Sequence, residues 1–550
     1  MLAFRFNLTG CRTWTGPHFI RASARKRIFV ALKGCAYGAM KFGSQILTWS
    51  LLLISSVVAA ADISVPDAAE RNDLKLLKSL LEAKNDVNVA QLDGTTALHW
   101  AAYHDNVTAA ALLLKSKADA DAKNRYNVTP LSLACTNGNA TLVEMLLQAG
   151  ANAAATLDGG ETALMTAART GRLKPVELLL QREVNVNARD WKGQTALMWA
   201  AAEGHAKVVD ALLRAKADRD VSLRSGFNAL FFAARAGKTE AALTLIRDGA
   251  EVNGIMKPER SGGKSVRSGT SALMLAVENG HFDLAASLLD AGANPDDQRS
   301  GFTVLHALTW VRKPNRGDGP DGEPPPQVRG TMTSLDFVRR LIAAGFDVNT
   351  RLKRGRSGRG VLNQTGATAF LMAADTADLP LMKLLVELGA DPQIPNADDC
   401  TALHAAAGIG TKAPGEEAGT EAEALAAVEY LLSLGFDINA VDSNGETTVH
   451  GAAYASFPEM VRLLAARGAD ISVWHSKNRY GWTPLLIAQG HRPGNFKPAA
   501  ATIEAVEEVM RKNGITPTKP KAFRGGDEYQ KSNPKTDSKA RTKANPQPSR

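Results

Sequence analysis

A small polar residue opening a Thr-Ala-Leu-like tetrad recurs at Thr96, Thr129, Thr162, Thr195 and Asn228, each 33 residues after the last. The series continues less evenly at Ser271, Thr303, Thr368, Thr401, Thr447 and Thr483. Two landmarks keep phase with it, a turn residue two places before each tetrad and a Gly-Ala-Asp-like corner about 22 places after it. Self-similarity at this period restricts the chain to an array of one supersecondary unit, because a single unit cannot bury its apolar face without a neighbour.

Each unit reads as a helix, a tight turn, a second helix and an extended finger. In Thr195-Ala196-Leu197-Met198-Trp199-Ala200-Ala201 a hydroxyl N-cap precedes small, strong helix formers, so the helix can lie close to its neighbours. Gly204-His205 ends it, and Val208, Val209, Leu212 and Leu213 then form an apolar stripe at helical spacing. The second helix stops where seven repeats carry Gly150, Gly249, Gly292, Gly345, Gly389, Gly435 and Gly468, the place of a left-handed C′ residue. Lys117, Glu183 and Lys216 stand there in other repeats and are expected to lose about 1 kcal/mol each to the αL penalty. The finger turn carries glycine nearly throughout, with Asn127 and Asp399 as the exceptions, both of types that tolerate positive φ.

At these residues the chain resembles the ankyrin repeat, whose pattern is D-x-x-G-x-T-P-L-H-x-A-A-x-x-G-H, an apolar helix, then G-A-D-V-N-A. Thr96-Ala97-Leu98-His99 with Ala101-Ala102, Thr129-Pro130-Leu131, Thr401-Ala402-Leu403-His404 with Ala406-Ala407, and Gly468-Ala469-Asp470 carry the match. The resemblance implies an all-α repeat solenoid with several loop insertions. Residues 62–90 read as an N-terminal capping half-repeat, 91–254 as regular repeats and 255–515 as repeats with insertions. Those insertions fall near 255–266, 312–330, 351–363, 410–423 and 490–500, and are expected to project from the stack as loops. Segments 351–363 and 490–497 look similar to a group of exported bacterial ankyrin proteins.

The formal charge of +9 does not describe a polyanion-binding platform once it is divided by segment. Residues 1–61 hold eight bases and no acid, and residues 516–550 hold nine bases against three acids, so the body between them is mildly acidic. Nucleic acid is therefore not an expected partner. The first stretch reads as a leader: 46–61 is a short apolar run ending in Ala59-Ala60-Ala61, which satisfies the A-x-A rule, and Met40-Lys41 just upstream offers a compact start. Sixteen apolar residues reach only about 24 Å as a helix, short of a hydrocarbon core, so cleavage is expected rather than stable membrane insertion. An uncleaved anchor and a transit peptide are the competing readings. The expected location is the periplasm or the exterior, and the expected state is monomeric. The tail 516–550, rich in Lys, Pro and polar residues, is expected to be disordered.

No catalytic constellation is recognisable, and no metal or cofactor is expected. His99, His306, His404 and His450 belong to tetrads, and His205 and His281 to Gly-His turns, so all six are expected to bond across turns. Cys135 and Cys400 lie too many repeats apart to pair. Gly262-Gly263-Lys264-Ser265 imitates the end of a phosphate loop without its first glycine or a preceding strand, and Arg316-Gly317-Asp318 is an isolated tripeptide in a Gly/Asp-rich loop. Asp190 and Asp442 at finger turns are explained by Asx-type backbone bonds.

What remains is surface. In the family this chain resembles, partners dock in a concave groove lined by the finger turns and the residues after the Ala-Ala pair. Those places hold Tyr103, Tyr126, Arg169, Trp191, Arg224, Phe227, Arg235, Arg267, Arg299, Phe302, Trp310, Tyr454, Tyr480 and Trp482. Tyr, Trp and Arg are the types enriched at binding hot spots. Arg224, Arg235, Arg267 and Arg299 are expected to form a basic stretch in mid-groove, whereas Trp100 and Trp199 are expected to pack between repeats. The resulting expectation is a non-catalytic scaffold that binds one or more partner proteins through its concave face. The alternative is an inhibitor or immunity-type partner of a co-exported enzyme, using the C-terminal insertions.

Overall fold

The computed structural model describes residues 63–260, 267–316, 326–328, 330–492 and 497–517. The leader, most of the tail, the Gly262 to Ser265 motif and Gly317 and Asp318 of the tripeptide lie outside these residues. Among the described residues every regular element is a helix, with three isolated β-bridges and no strand. The chain divides into two units, one of Met1–Phe232, Glu240–Asp248 and Pro258–Val266, the other of Ala233–Thr239, Gly249–Lys257 and Arg267–Arg550.

In the first unit the inner helices Val65–Glu70, Ala97–Tyr103, Pro130–Asn137, Ala163–Thr170 and Ala196–Glu203 stack one on the next. Their outer partners, Leu74–Glu82, Val107–Lys115, Ala140–Gln148, Leu173–Leu180 and Ala206–Arg214, form a second layer. The inner layer is built from small residues because its helices pack on both sides: Ala102, Ala134, Ala167, Ala168, Ala200 and Ala201 are fully buried. The outer helices bury a single stripe, as Leu142, Val143 and Leu146 do in one and Val208, Val209 and Leu212 in another. Each layer thus shields the other from water.

The second unit repeats the scheme. Inner helices Ala272–Glu278, Val304–Arg312, Ala369–Asp375, Ala402–Ala407, Thr448–Ala455 and Pro484–Ala488 stack in order, and Ala500–Lys512 closes the outer layer on Pro458–Ala466. The inner helices start on hydroxyl caps. Thr162 accepts from the Met165 amide at 3.2 Å, Thr368 from Leu371 at 3.2 Å, and Thr483 from Leu486 at 3.2 Å.

Both families of turn glycine adopt left-handed φ, between 73° and 97° at the fingers and between 83° and 99° at the outer-helix ends. Asn127 and Asp399 take the same conformation at 54° and 56°, and Lys117 and Lys216 both lie at 67°. Glu183 does not. The chain leaves that helix by another route, with the Val184 amide donating to the Arg182 carbonyl at 2.8 Å, so the expected αL penalty at Glu183 is absent.

The insertions do not all project. Residues 351–363 fold back onto the second unit, with Leu352 and Leu362 buried. The last residues of 410–423 begin the helix Glu421–Ser433, capped by Thr420. In 490–500 the Arg492 side chain is buried and donates to the Ala453 and Tyr454 carbonyls. Ile255 and Met256 pair back on Ser271 and Thr270.

Candidate functional site

The tetrad histidines are caps rather than ligands. In His99 the ring Nδ1 lies 2.8 Å from the Thr96 hydroxyl and accepts from the Thr96 amide at 3.2 Å, while Nε2 meets the Val128 carbonyl at 2.9 Å. An acceptor at Nδ1 and a carbonyl at Nε2 require a neutral ring protonated at Nε2. His306 and His404 do the same to the carbonyls of Ala367 and Ala440, each in the next repeat. Burial accordingly pushes His306 down to about 4, with the Ala367 bond pulling weakly the other way. His205 and His281 tie Gly-His turns to the Arg169 and Arg235 carbonyls, both at 3.0 Å. Cys135 and Cys400 are buried thiols, pushed up by desolvation.

The candidate docking residues fall at two registers. One is the finger tip, and the other is the seventh place after the tetrad's first residue, at the end of each inner helix. The sequence fills that second place with Tyr103, Arg169, Arg235, Glu278, Trp310, Asp375 and Tyr454.

In the first unit the finger tips stay open. Trp191 is 78% exposed and Tyr126 56%. Each carries a cation beside its ring, Lys192 at 5.6 Å from Trp191 and Arg125 at 5.8 Å from Tyr126. Backbone bonds fix the tips to their neighbours: the Arg125 amide donates to the Asp93 carbonyl at 2.8 Å, and Trp191 to Gly159 at 2.9 Å. The rings are therefore presented by a rigid ladder, with Leu92 fully exposed one finger earlier. On the inner helices Tyr103 packs edge-on to Trp100 at 5.6 Å. Trp100 is buried and its indole donates to Gln91, as a packing residue should. Trp199 is half-buried and lies under the exposed Arg169 guanidinium at 5.5 Å.

The basic stretch expected in mid-groove does not exist as free charge. Exposed Arg224 lies 3.9 Å from Glu259, and Arg299 makes a bidentate pair with Asp297 at 2.9 and 2.8 Å. Arg267 pairs with Glu278 and lies against the packed rings of Phe302 and Trp310, at 5.3 and 5.5 Å from their centroids. Arg235 is half-buried, and desolvation lowers its pKa. Three of the four guanidiniums are thus paired by a local acid.

Three expected docking residues prove internal. Phe227 and Phe302 are buried, the first against Phe232 at 5.2 Å and the second against Trp310 at 4.9 Å. Tyr454 is 1% exposed, and its hydroxyl donates to Glu446 at 2.8 Å. Glu446 also accepts from Asn478 at 2.7 Å, and burial pushes its carboxyl up to about 7 against the pull of those bonds. The ring at this register turns inward because a buried carboxylate needs its hydroxyl.

Tyr480 and Trp482 lie 5.4 Å apart, half-buried, on the last finger. Arg359, from the 351–363 segment, stacks over both at 5.4 and 4.5 Å. In the same unit a cleft of about 140 Å³ is lined by Asp375, Gly408, Glu417 and Arg316 among others. Glu417 there accepts from the Lys412 amide at 2.8 Å and so folds the 410–423 insertion. Sequence reasoning missed Arg359, Asp375 and Glu417. Asp375 was legible, since it occupies the same register as Tyr103 and Arg169. Among the described residues no cluster of three or more His, Cys, Asp or Glu is placed to hold a metal, and no helix is long and apolar enough to cross a membrane.

A stack of paired helices joined by rigid fingers, with small inner helices and capping tetrads, defines a helical repeat protein built to present surface. A family model described as ankyrin repeats (3 copies) matches residues 67–156, 152–224, 191–256, 230–310 and 418–497, over half of the chain. The chain belongs to the ankyrin repeat family. It is 36% identical over 195 residues to neurogenic locus notch homolog protein 1 of Xenopus tropicalis, a match covering 31% of this chain and 8% of that protein. Among solved structures it is similar to the human ASB11 ankyrin repeat domain, at 27% identity and a TM-score of 0.36, covering 42% of this chain and 98% of that one. Ankyrin repeats generally mediate protein–protein interaction and are typically non-catalytic.

Proposed function

We propose that the protein is a non-catalytic scaffold that binds a partner protein through the finger and inner-helix face of its first unit. The observation that carries this reading is the exposure of Trp191 and Tyr126, each beside a cation, on fingers locked by backbone bonds. Large rings held rigidly in water lose little entropy on docking and bury much apolar area. The partner surface suited to them offers apolar pockets flanked by carboxylates, which would meet Arg125, Arg169 and Lys192.

The test is affinity for a partner identified with the full-length protein. Replacing Trp191 and Tyr126 together by Ala is expected to weaken binding at least tenfold while leaving helical content and thermal transition unchanged. Unchanged affinity in a folded double variant refutes the reading. Deleting 317–329, which spares Arg312 and Lys313 and their ion pairs, separates it from the inhibitor or immunity alternative, which predicts loss of binding where the scaffold reading predicts retention. Export is part of the proposal: the leader 1–61 is removed after Ala60 or Ala61, and the mature chain acts as a monomer in the periplasm or outside the cell. N-terminal sequencing of the native protein from separated fractions checks this, and an intact leader in the cytosol or membrane overturns it.

A further inference from the structure

The 351–363 segment reaches from the finger ahead of Thr368 to the rings of the last finger. It leaves the finger ahead of Thr368 as a short ladder: the Leu352 amide donates to Ala367 at 3.0 Å, Gly366 donates back to Leu352 at 2.8 Å, and Gln364 donates to Arg356 at 2.8 Å. Gln298 on the preceding finger clamps its base, accepting from the Lys353 amide at 3.1 Å. Leu362 then lies so close to Gly410 that a Cβ at Gly410 would stand 2.1 Å from the Leu362 nitrogen. Arg359 ends on the Tyr480 and Trp482 rings, three tetrads further along the chain. Every contact lies within the second unit.

A hairpin carrying Arg354, Arg356 and Arg359 turns at Gly358 to Gly360 and puts the Arg359 guanidinium on an aromatic shelf. Stacked guanidinium on Tyr and Trp is a recognition element that does not depend on the chain to which the arginine belongs. We propose that the Tyr480 and Trp482 shelf is an arginine-recognising subsite held in cis by residues 351–363, and that an arginine-bearing segment of a partner takes the same place by displacing it. Only the second half rests on reading the protein as a scaffold; the cis occupancy stands without it. The linked segment is always present at high effective concentration, so it acts as a competitor that a weak or non-basic ligand cannot displace. The second unit would then accept only strongly basic segments, whereas the open fingers of the first unit take an acid-flanked surface.

The experiment has two arms on the full-length protein. In the first, trypsin probes the three arginines of the segment, with cleavage mapped by mass spectrometry. Wild type is expected to be cut there slowly; Arg359→Ala, and independently Trp482→Ala, should speed cutting at Arg354 and Arg356 at least fivefold while the remaining fragments stay protected. Equal rates in wild type and both variants overturn the cis contact. In the second, residues 354–361 are replaced by a Gly-Ser linker and the free peptide 351–363 is titrated against it. Saturable binding, absent in wild type and at least fivefold weaker for the peptide with Arg359→Ala, is the expected result. No binding to a linker variant with wild-type helical content, or equal binding of both peptides, overturns the subsite. If the linker variant does not fold, Arg359→Ala in the intact chain is titrated with the same peptide, and failure to bind there also overturns it. Loss of the first-unit interaction with this arm intact would sink the scaffold reading for that face alone.

Discussion

Replacing His306 by Gln tests whether the tetrad histidines work as neutral buried caps. The ring is fully buried, with Nδ1 2.7 Å from the Thr303 hydroxyl and Nε2 3.2 Å from the Ala367 carbonyl. Gln can still cap Thr303 but cannot also reach Ala367, so at pH 7.5 the variant should lose about 1 to 3 kcal/mol for a buried carbonyl left unpaired. The pH dependence is the sharper part. The folded ring titrates near 4 against 6.5 in the open chain, a depressed base, so its contribution is complete above 6.5 and is lost as pH falls toward 4. At pH 5.0 the open chain has gained a proton that the folded repeat has not, which costs wild type about 2 kcal/mol that the Gln variant does not lose. Hydrogen–deuterium exchange of peptides covering Val304–Arg312, corrected for intrinsic rates, reads the opening of this repeat without assuming that the whole array unfolds at once. Protection in wild type should fall about thirtyfold more than in the variant between pH 7.5 and 5.0. An identical fall in both proteins would show that the ring titrates normally, and the capping argument would fail.

Other residues give independent checks. Arg312 makes two bonds, at 2.6 and 3.0 Å, to Asp378, which is fully buried and caps Leu379–Glu387 through the Leu381 amide. Arg312→Ala leaves that carboxylate uncompensated and should cost about 3 to 5 kcal/mol, read as early loss of the second unit's structure in urea. Glu446 has the opposite linkage to His306: its folded pKa is raised to about 7, so stability is complete below about 4.5 and is lost as pH rises through 7. Glu446→Gln keeps an acceptor for Tyr454 and should flatten the loss of exchange protection in Thr448–Ala455 between pH 5 and 8; an unaltered pH profile would contradict the assignment. Gly451→Ala places a Cβ 3.0 Å from the Ala407 carbonyl carbon and the Ile409 nitrogen, so it should destabilise that helix pair by about 1 to 3 kcal/mol despite Ala's better helix propensity, and a raised melting temperature would refute this.

The repeat, its caps and its turns were legible because they are local. A hydroxyl before Ala-Leu, a glycine at a left-handed turn and an apolar stripe at helical spacing each act within one turn of chain. The same locality explains why His99, His306 and His404 were recognisable as turn-bonding residues, although the carbonyls they reach lie in the next repeat. Glu183 misled because one residue type cannot report which of two turn geometries the chain adopts.

The docking residues were less legible, since residue type and register say where a side chain begins but not what it meets. Tyr126 and Tyr454 are both tyrosines at groove registers. One stands in water and the other turns inward, because only the second has a buried glutamate to satisfy. Arg267 and Arg299 looked like a basic stretch until Glu278 and Asp297 were placed beside them. Residues 351–363 read as a projecting loop because Gly and Arg dominate them. Their base is set by neighbouring fingers, and their tip by rings more than a hundred residues away in sequence. The sequence by itself determined the unit, its period and its family, all fixed by bonds within a repeat or to its neighbour. Only the tertiary structure decided which face stays open and which is already filled, because that depends on pairings between repeats that no local pattern encodes.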